Sequence, residues 1–394
     1  MACLTCFQEK RLKPLAGVKV VEFCTVAAGP FCAMLLADMG ADVIKVENPD
    51  GGDSMRQWPP LSEGFSENFA SLNRNKRSVT LDLKGPQDKQ RALDLIAAAD
   101  VVVENNRPGV MARLGLDYAS VSEGHPGLVY CSISAFGQEG PRSREAGFDL
   151  TLQAMSGVMS VTGEPGSPPV KCGVPISDFG TGLYAAYAIA AALFHVRGGG
   201  RGGHIDASMF GASLAMGALQ TSEYFGSGRD PRRLGSAHPR NAPYQAFRAK
   251  DGYFAMAAGN NALYRAACEA ISRPDLFEDP RFASTGLRAQ NQADLLEILE
   301  RDFAAFTCEE LLAMFRKAGV PCAPINTYSQ ALADPQVAHM EWVQPVQLPS
   351  GVTTKTFVSP LRISGKGFGI DRPPPRLGEH NDEVFQTAPS HETA

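Results

Sequence analysis

The sequence predicts an α/β protein with a large parallel-sheet domain and a smaller α+β domain, and three observations carry that reading. Short β-branched runs alternate with helix-period stretches through the first two hundred residues, the pattern of parallel strands joined by helical crossovers. A chain of 394 residues with 44% apolar content exceeds what one core usually holds, since cores split beyond about 250–300 residues. Between Gly226 and Asn241 the composition turns to Gly, Arg, Pro and Ser, which reads as a linker. The expected division is a large Rossmann-like domain over 1–200, a linker over 201–240, a small α+β domain over 241–330, and a strap over 331–394 that returns to the large domain.

The first element is the strand run Val18-Lys19-Val20-Val21-Glu22-Phe23, followed by a turn over Thr25 to Pro30 and a helical segment from Phe31 to Met39. Gly40 ends that helix, and Ala41 to Glu47 reads as a second strand, completing a βαβ unit with a right-handed crossover. A helical pattern from Pro86 to Ala98 leads into a third strand, Val101 to Asn105, and Gly127 to Ile133 is a fourth. The Ala-rich run Leu183 to Val196 ends in His195 and Arg197 and falls short of the ~20 residues that cross a bilayer, so it reads as a buried helix. The glycines of Arg197 to Gly203 make a tight turn into a strand from His204 to Ser208, because no lysine-serine or lysine-threonine pair completes a phosphate loop.

In the smaller domain, Tyr244 to Ala249 and Tyr253 to Ala258 read as strands. Thr307-Cys308-Glu309-Glu310 is a capping box opening a helix with an apolar stripe at Leu311, Leu312 and Phe315, which Gly319 and Pro321 stop. From Ala331 onward the chain is rich in Pro and short of helix periodicity, as an extended strap with a few strands would be.

Composition removes several classes of function. A net charge of −5 and a pI near 5.9 supply no basic field for nucleic acid or an anionic membrane. The nine cysteines are an odd number scattered in apolar surroundings, which predicts reduced thiols in a cytoplasm, and the Cys3/Cys6 pair lacks the second pair of a zinc site. The seven histidines fall in no nucleophile-elbow motif. Glu47 ends the second strand where an acidic residue would hold a ribose, but Thr25-Val26-Ala27-Ala28-Gly29-Pro30 has one glycine where the dinucleotide fingerprint needs three.

Two features point towards chemistry. Asn73-Arg74-Asn75-Lys76-Arg77-Ser78 with Lys84, and Arg107 with Arg113 around Pro108-Gly109, gather cations near strand ends and together suggest a phosphorylated ligand, though a solvated loop is the ordinary reading of each. Val174-Pro175-Ile176-Ser177-Asp178-Phe179-Gly180-Thr181-Gly182 sets Asp178 at the start of the Ala-rich helix. There it either caps the helix or attacks an acyl group, and the helix dipole would hold its carboxylate ionised.

Thr25 to Pro30, Gly40 to Glu47, Asn75 to Ser78, Val103-Glu104-Asn105 with Arg107-Pro108-Gly109, Asp178 to Gly182, Pro324 and Leu377 to Glu383 together closely resemble the class III CoA-transferases, a family that also holds 2-methylacyl-CoA racemases. The resemblance runs over nearly the whole chain. It implies an interlocked homodimer, a CoA thioester as substrate with no permanently bound cofactor, and Asp178 as the nucleophile passing through aspartyl anhydride and aspartyl-CoA. By position it also implies CoA contacts from Val26, Leu81, Lys84, Asn105 and Arg113. Ala27, Asn48 and Asn106 depart from the glutamine, arginine and phenylalanine of formyl-CoA transferase, and its glycine-rich lid is replaced by His238 to Gln245, which argues against oxalate as acceptor. Racemases of the family use a His-Asp pair; here Gly147-Phe148-Asp149 puts a phenyl ring at the histidine position, and a phenyl ring exchanges no proton. The expected reaction is CoA transfer from an acyl-CoA, succinyl-CoA first, to a dicarboxylate or a sulfinate such as 3-sulfinopropionate, with Arg240 or Arg77 pairing the second anionic group.

Overall fold

The computed structural model describes residues 12–385, so Cys3 and Cys6 lie outside the described residues. The chain divides into two compact units, one of residues 12–158, 171–228 and 335–385 and one of residues 159–170 and 229–334.

The first unit is built on six parallel strands. In chain order they and their main helices are β1 (Lys19–Phe23), α1 (Ala28–Asp38), β2 (Asp42–Glu47), β3 (Lys76–Thr80), α2 (Pro86–Ala97), β4 (Val101–Glu104), β5 (Val129–Ser134), α3 (Asp149–Met155), α4 (Ile176–Arg197), β6 (Gly203–Ser208), α5 (Met209–Met216) and α6 (Ala218–Ser227). The sheet order β3-β2-β1-β4-β5-β6 is that of a doubly wound fold, and it reverses between β1 and β4. Strand alternation divides the core in two: Val20, Val43, Val101, Val103, Val129 and Cys131 face α1 and α4, while Val21, Val46, Val79, Val102 and Tyr130 face α2.

One strand was not legible as such. Three cations in the four positions Arg74 to Arg77 suggest a solvated loop, yet Lys76–Thr80 is the edge strand β3 and Lys76 is fully buried. Each cation has a structural partner: Arg74 pairs with Asp38 at 2.6 Å, Lys76 with Glu22 at 2.8 Å, and Arg77 with Asp42 at 2.5 Å. The segment holds the sheet edge together instead of offering charge to a ligand.

Helix α4 is longer than its apolar run suggested, 22 residues with a mean hydropathy of 1.4 over its most apolar 18, long and apolar enough on composition alone to cross a membrane. Ala185, Ile189 and Leu193 on one side of it enter the core against α1 and the sheet. At Gly182 the contact with α1 is so close that a Cβ would lie 2.8 Å from the carbonyl oxygen of Ala28. Only glycine lets the two helix starts meet.

The strap belongs to this unit. Asn75 accepts the amides of Asp371 and Arg372, Ser78 Oγ accepts the amide of Gly378, and the Asn381 side chain bonds Thr80. These bonds lay the chain's last described turn along β3.

The second unit places a three-stranded antiparallel sheet, β7 (Tyr244–Arg248), β8 (Tyr253–Ala257) and β9 (Cys322–Pro324), against helices that include α7 (Asn261–Ala270), α8 (Gln292–Phe303) and α9 (Cys308–Lys317). Phe247, Phe254, Phe303 and Phe315 form its aromatic centre. The capping box at Thr307 and Glu310 forms as the spacing predicts, and Leu311, Leu312 and Phe315 are buried.

Candidate active site

The ligand crevice of a doubly wound sheet lies outside the carboxyl ends of its strands at the reversal point, here beyond Phe23 of β1 and Glu104 of β4. The two strand ends are tied to each other: the Thr25 amide donates to Asn105 Oδ1 at 3.0 Å and Asn105 Nδ2 donates back to the Thr25 carbonyl at 2.8 Å. Val26 follows with φ of +67°, a left-handed conformation that costs a β-branched residue on the order of 1–3 kcal/mol and persists only when its surroundings impose it. What imposes it is Asp53, whose carboxylate accepts the Val26 amide at 3.1 and 3.2 Å.

Asp53 is anchored in a network of buried charge. Lys45 Nζ lies 3.1 Å from Asp53 and 3.1 Å from Glu22 and donates to the Cys24 carbonyl at 2.7 Å. Lys76 reaches the other oxygen of Glu22 and donates to the Pro30 carbonyl at 2.9 Å. Burial alone would depress Lys45, but Glu22, Asp53 and Glu47 outweigh it and hold the ammonium above its ordinary pKa. Burial likewise opposes the charge on Glu47, and Arg56 overcomes it, bringing the carboxyl down to about 2. The floor of the crevice is therefore a set of fixed charges, and it fixes the turn at Val26.

Asp178 stands in the first turn of α4, third in the helix, and does not cap it: the cap position is Pro175, which makes no side-chain bond. The capping is done from α3, where Asp149 Oδ1 accepts the Ser177 amide at 2.9 Å while its other oxygen accepts Gln153 Nε2 at 2.7 Å. Among the described residues, the Asp178 carboxylate thus has no backbone group to hold. Nor does the helix start hold it fully ionised, because burial first and the Asp149 charge second push its pKa up to about 7. Asp149→Asn removes the second cause, so the acid limb of the pH profile for the step that uses Asp178 is expected to move to lower pH. A limb that stays in place or moves up in a pH–rate measurement would show that Asp149 does not act on Asp178.

Asp178 lines a cavity of about 310 Å³ with Val26, Asn105, Arg107, Glu145 and Phe148. Thr25 and Asn106 also face a second chamber of about 390 Å³, lined by Leu81, Lys84 and Arg113. The five residues expected to contact CoA thus occupy two adjoining chambers at one sheet edge: Val26 and Asn105 beside the carboxylate, Leu81, Lys84 and Arg113 beyond it. Asn48 lies with the second group.

Of the two arginines expected at the acceptor, Arg77 is not brought to Asp178. Arg77 is held by Asp42 and by Glu383 at 3.0 Å, outside both chambers, because β3 points it at β2 and the strap. Arg240 lies in the second unit, where its amide donates to His238 Nδ1 at 3.1 Å. Sequence reasoning missed Glu22, Lys45, Asp53 and Asp149. Glu22 and Lys45 did carry a signal, since a charge inside a strand buried on both faces demands a partner.

The sequence model of CoA-transferase family III matches residues 15–381. The succinate–glutarate CoA-transferase of Agrobacterium fabrum is 39% identical over 382 residues, covering 95% of this chain and 96% of the relative. The human succinyl-CoA:glutarate CoA-transferase is 37% identical over 376 residues, 95% of this chain and 86% of the relative. A crystal structure of a CAIB/BAIF family protein from Brucella suis, 39% identical, superposes with a TM-score of 0.83 over 95% of this chain and 99% of that one. A family match over most of the chain, relatives that are themselves transferases and a carboxylate at the sheet's reversal point lead to one conclusion: the chain belongs to CoA-transferase family III and is a CoA-transferase.

Proposed function

We propose that the protein transfers CoA from succinyl-CoA to a small dicarboxylic acid, with Asp178 as the nucleophile. The observation that carries this is the placement of Asp178, released from capping, in one cavity with Val26 and Asn105 at the strand ends. Lys84 and Arg113 in the adjoining chamber suit the phosphates of CoA. The ionised Asp178 carboxylate attacks the thioester carbonyl, the C–S bond breaks, and CoA leaves as thiolate, giving a mixed anhydride. Thiolate returns to the aspartyl carbonyl, freeing succinate and leaving aspartyl-CoA. The acceptor carboxylate then attacks aspartyl-CoA, and the thiolate released takes the acyl group from the second anhydride. Aspartate is regenerated, and nothing is oxidised or reduced.

The acceptor reading rests on relatives whose names specify glutarate, mesaconate and D-citramalate. A sulfinate such as 3-sulfinopropionate meets the same charge requirement. Racemisation is disfavoured by Phe148, which lines the Asp178 cavity and has no proton to exchange. The homodimer, interlocked as the resemblance implies, is supported by large apolar side chains left exposed on α4 and α6, among them Tyr187, Phe194 and Phe225. No permanent cofactor enters these steps, and a cytoplasmic setting fits the uncrosslinked cysteines among the described residues.

The test is to mix the protein with succinyl-CoA alone and weigh it intact. A CoA-sized increment mapping to Asp178 is expected. No adduct, with deuterium entering the α-carbon of a 2-methylacyl-CoA, would replace transfer by racemisation.

A further inference from the structure

The geometry points to Arg107 as the residue that selects for a second carboxylate on the transferred acid, holding the free carboxylate of the succinyl donor and then that of the acceptor. The inference rests on the transfer reading above and names what its acyl pocket recognises.

Among the described residues lining the Asp178 cavity, Arg107 is the single cation. The other acid on that wall, Glu145, has its own partner in Arg142 at 2.9 Å, so it does not neutralise Arg107. The Arg107 guanidinium makes no hydrogen bond or ion pair within the described residues, unlike Arg74 and Arg77 in the nearby edge strand. Arg107 is exposed at the rim of this cavity and also lines a neighbouring one of about 200 Å³, and an unpaired guanidinium there offers a planar fork that a carboxylate fits in bidentate fashion.

Its backbone is held on both sides. Ahead of it, Asn105 locks to Thr25, and Asn106 donates from its amide to Glu104 at 2.8 Å. Behind it, the Val110 amide donates to the Arg107 carbonyl at 3.0 Å, with Pro108 next and Gly109 at φ of +85° and ψ of −7°. That is a type II turn, with proline and glycine at the positions where the turn requires them. Arg107 therefore leaves the end of β4 from a rigid base, and little ordering remains for a ligand to impose.

The distribution of cations separates the tasks. Lys84 and Arg113 stand in the chamber beyond Asp178, where the charged end of CoA would lie, and Arg107 alone stands beside the nucleophile. Because each half of the exchange places an acid in the same acyl pocket, a single cation there serves donor and acceptor in turn. A neutral acyl chain would leave it unpaired.

The experiment compares Arg107→Ala and Arg107→Gln with the parent enzyme on two matched pairs: succinyl-CoA with glutarate, and butyryl-CoA with pentanoate. Loss of one charge-assisted pairing is expected to lower kcat/KM for the dicarboxylate pair by roughly 10- to 100-fold, with less than about threefold change for the monocarboxylate pair and partial recovery in Arg107→Lys. An equal loss on both pairs, or a selective loss in Arg240→Ala with none in Arg107→Ala, overturns the assignment. If the parent enzyme gives neither transfer nor an adduct, the transfer reading itself fails; if it gives both and Arg107→Ala keeps its selectivity, the inference alone fails.

Discussion

Asp178→Asn is expected to lower transfer by roughly four orders of magnitude or more, as removal of a covalent nucleophile does, and to make the protein more stable above pH 7. The second effect follows from the sign of the shift. Burial and Asp149 raise the Asp178 carboxyl to about 7, against ~3.9 in an unfolded chain. A carboxyl raised in this way favours the fold fully below the unfolded value, and that contribution is lost as pH rises through 7. At pH 8 the native enzyme carries an ionised, partly buried Asp178 beside Asp149, whereas the amide carries no charge. The variant should therefore gain on the order of 2 kcal/mol at pH 8, after discounting the shift for solvent screening. The gain should shrink towards pH 5. Urea midpoints at the two pH values measure this, and a variant no more stable than the parent at pH 8 would mean that Asp178 is not held against its charge.

Lys45→Met has the largest expected cost to the fold. The substitution keeps the bulk of the stem but leaves Glu22 and Asp53, both fully buried, without the ammonium that joins them. Breaking a buried ion pair from one side typically costs about 3–5 kcal/mol, because the remaining carboxylates cannot rehydrate. Asp53 would also lose its anchor and with it the hold on the Val26 amide, so the surviving folded protein should transfer CoA more slowly. Adding Asp53→Asn is expected to recover part of the stability, since it removes the charge left without a cation, whereas Glu22 keeps Lys76. A loss below about 1 kcal/mol in urea unfolding would mean that the network relaxes without Lys45.

The sheet was legible because β-branched runs alternate with helical ones, and the strands at Val20, Val43, Val102 and Val129 fall within a residue or two of their expected bounds. Edge strand β3 was not. Its Lys76 looks solvent-seeking in isolation and is buried only because Glu22, far earlier in the chain, faces it across the sheet. The same limit applied to Asp178. Its neighbours Ser177 and Phe179 mark a helix start, but nothing local says that Asp149 reaches across from α3 to take the capping role. Arg77 and Arg107 read alike in the sequence as arginines near strand ends. Their difference lies in Asp42 and Glu383, which satisfy the first and not the second.

The bonds from Asn75, Ser78 and Thr80 to the strap have a further meaning for how the border of the sheet is closed. A parallel sheet that ends at β3 exposes a row of unpaired amides and carbonyls on which another chain could add a strand. The segment from Gly369 to Asn381 occupies that border, with Pro373, Pro374 and Pro375 in it lacking the amide donors a further strand would need. The strap thus works as an edge guard against aggregation, and because it follows every strand of the sheet in the chain, the nascent sheet carries an open border until the strap has been made.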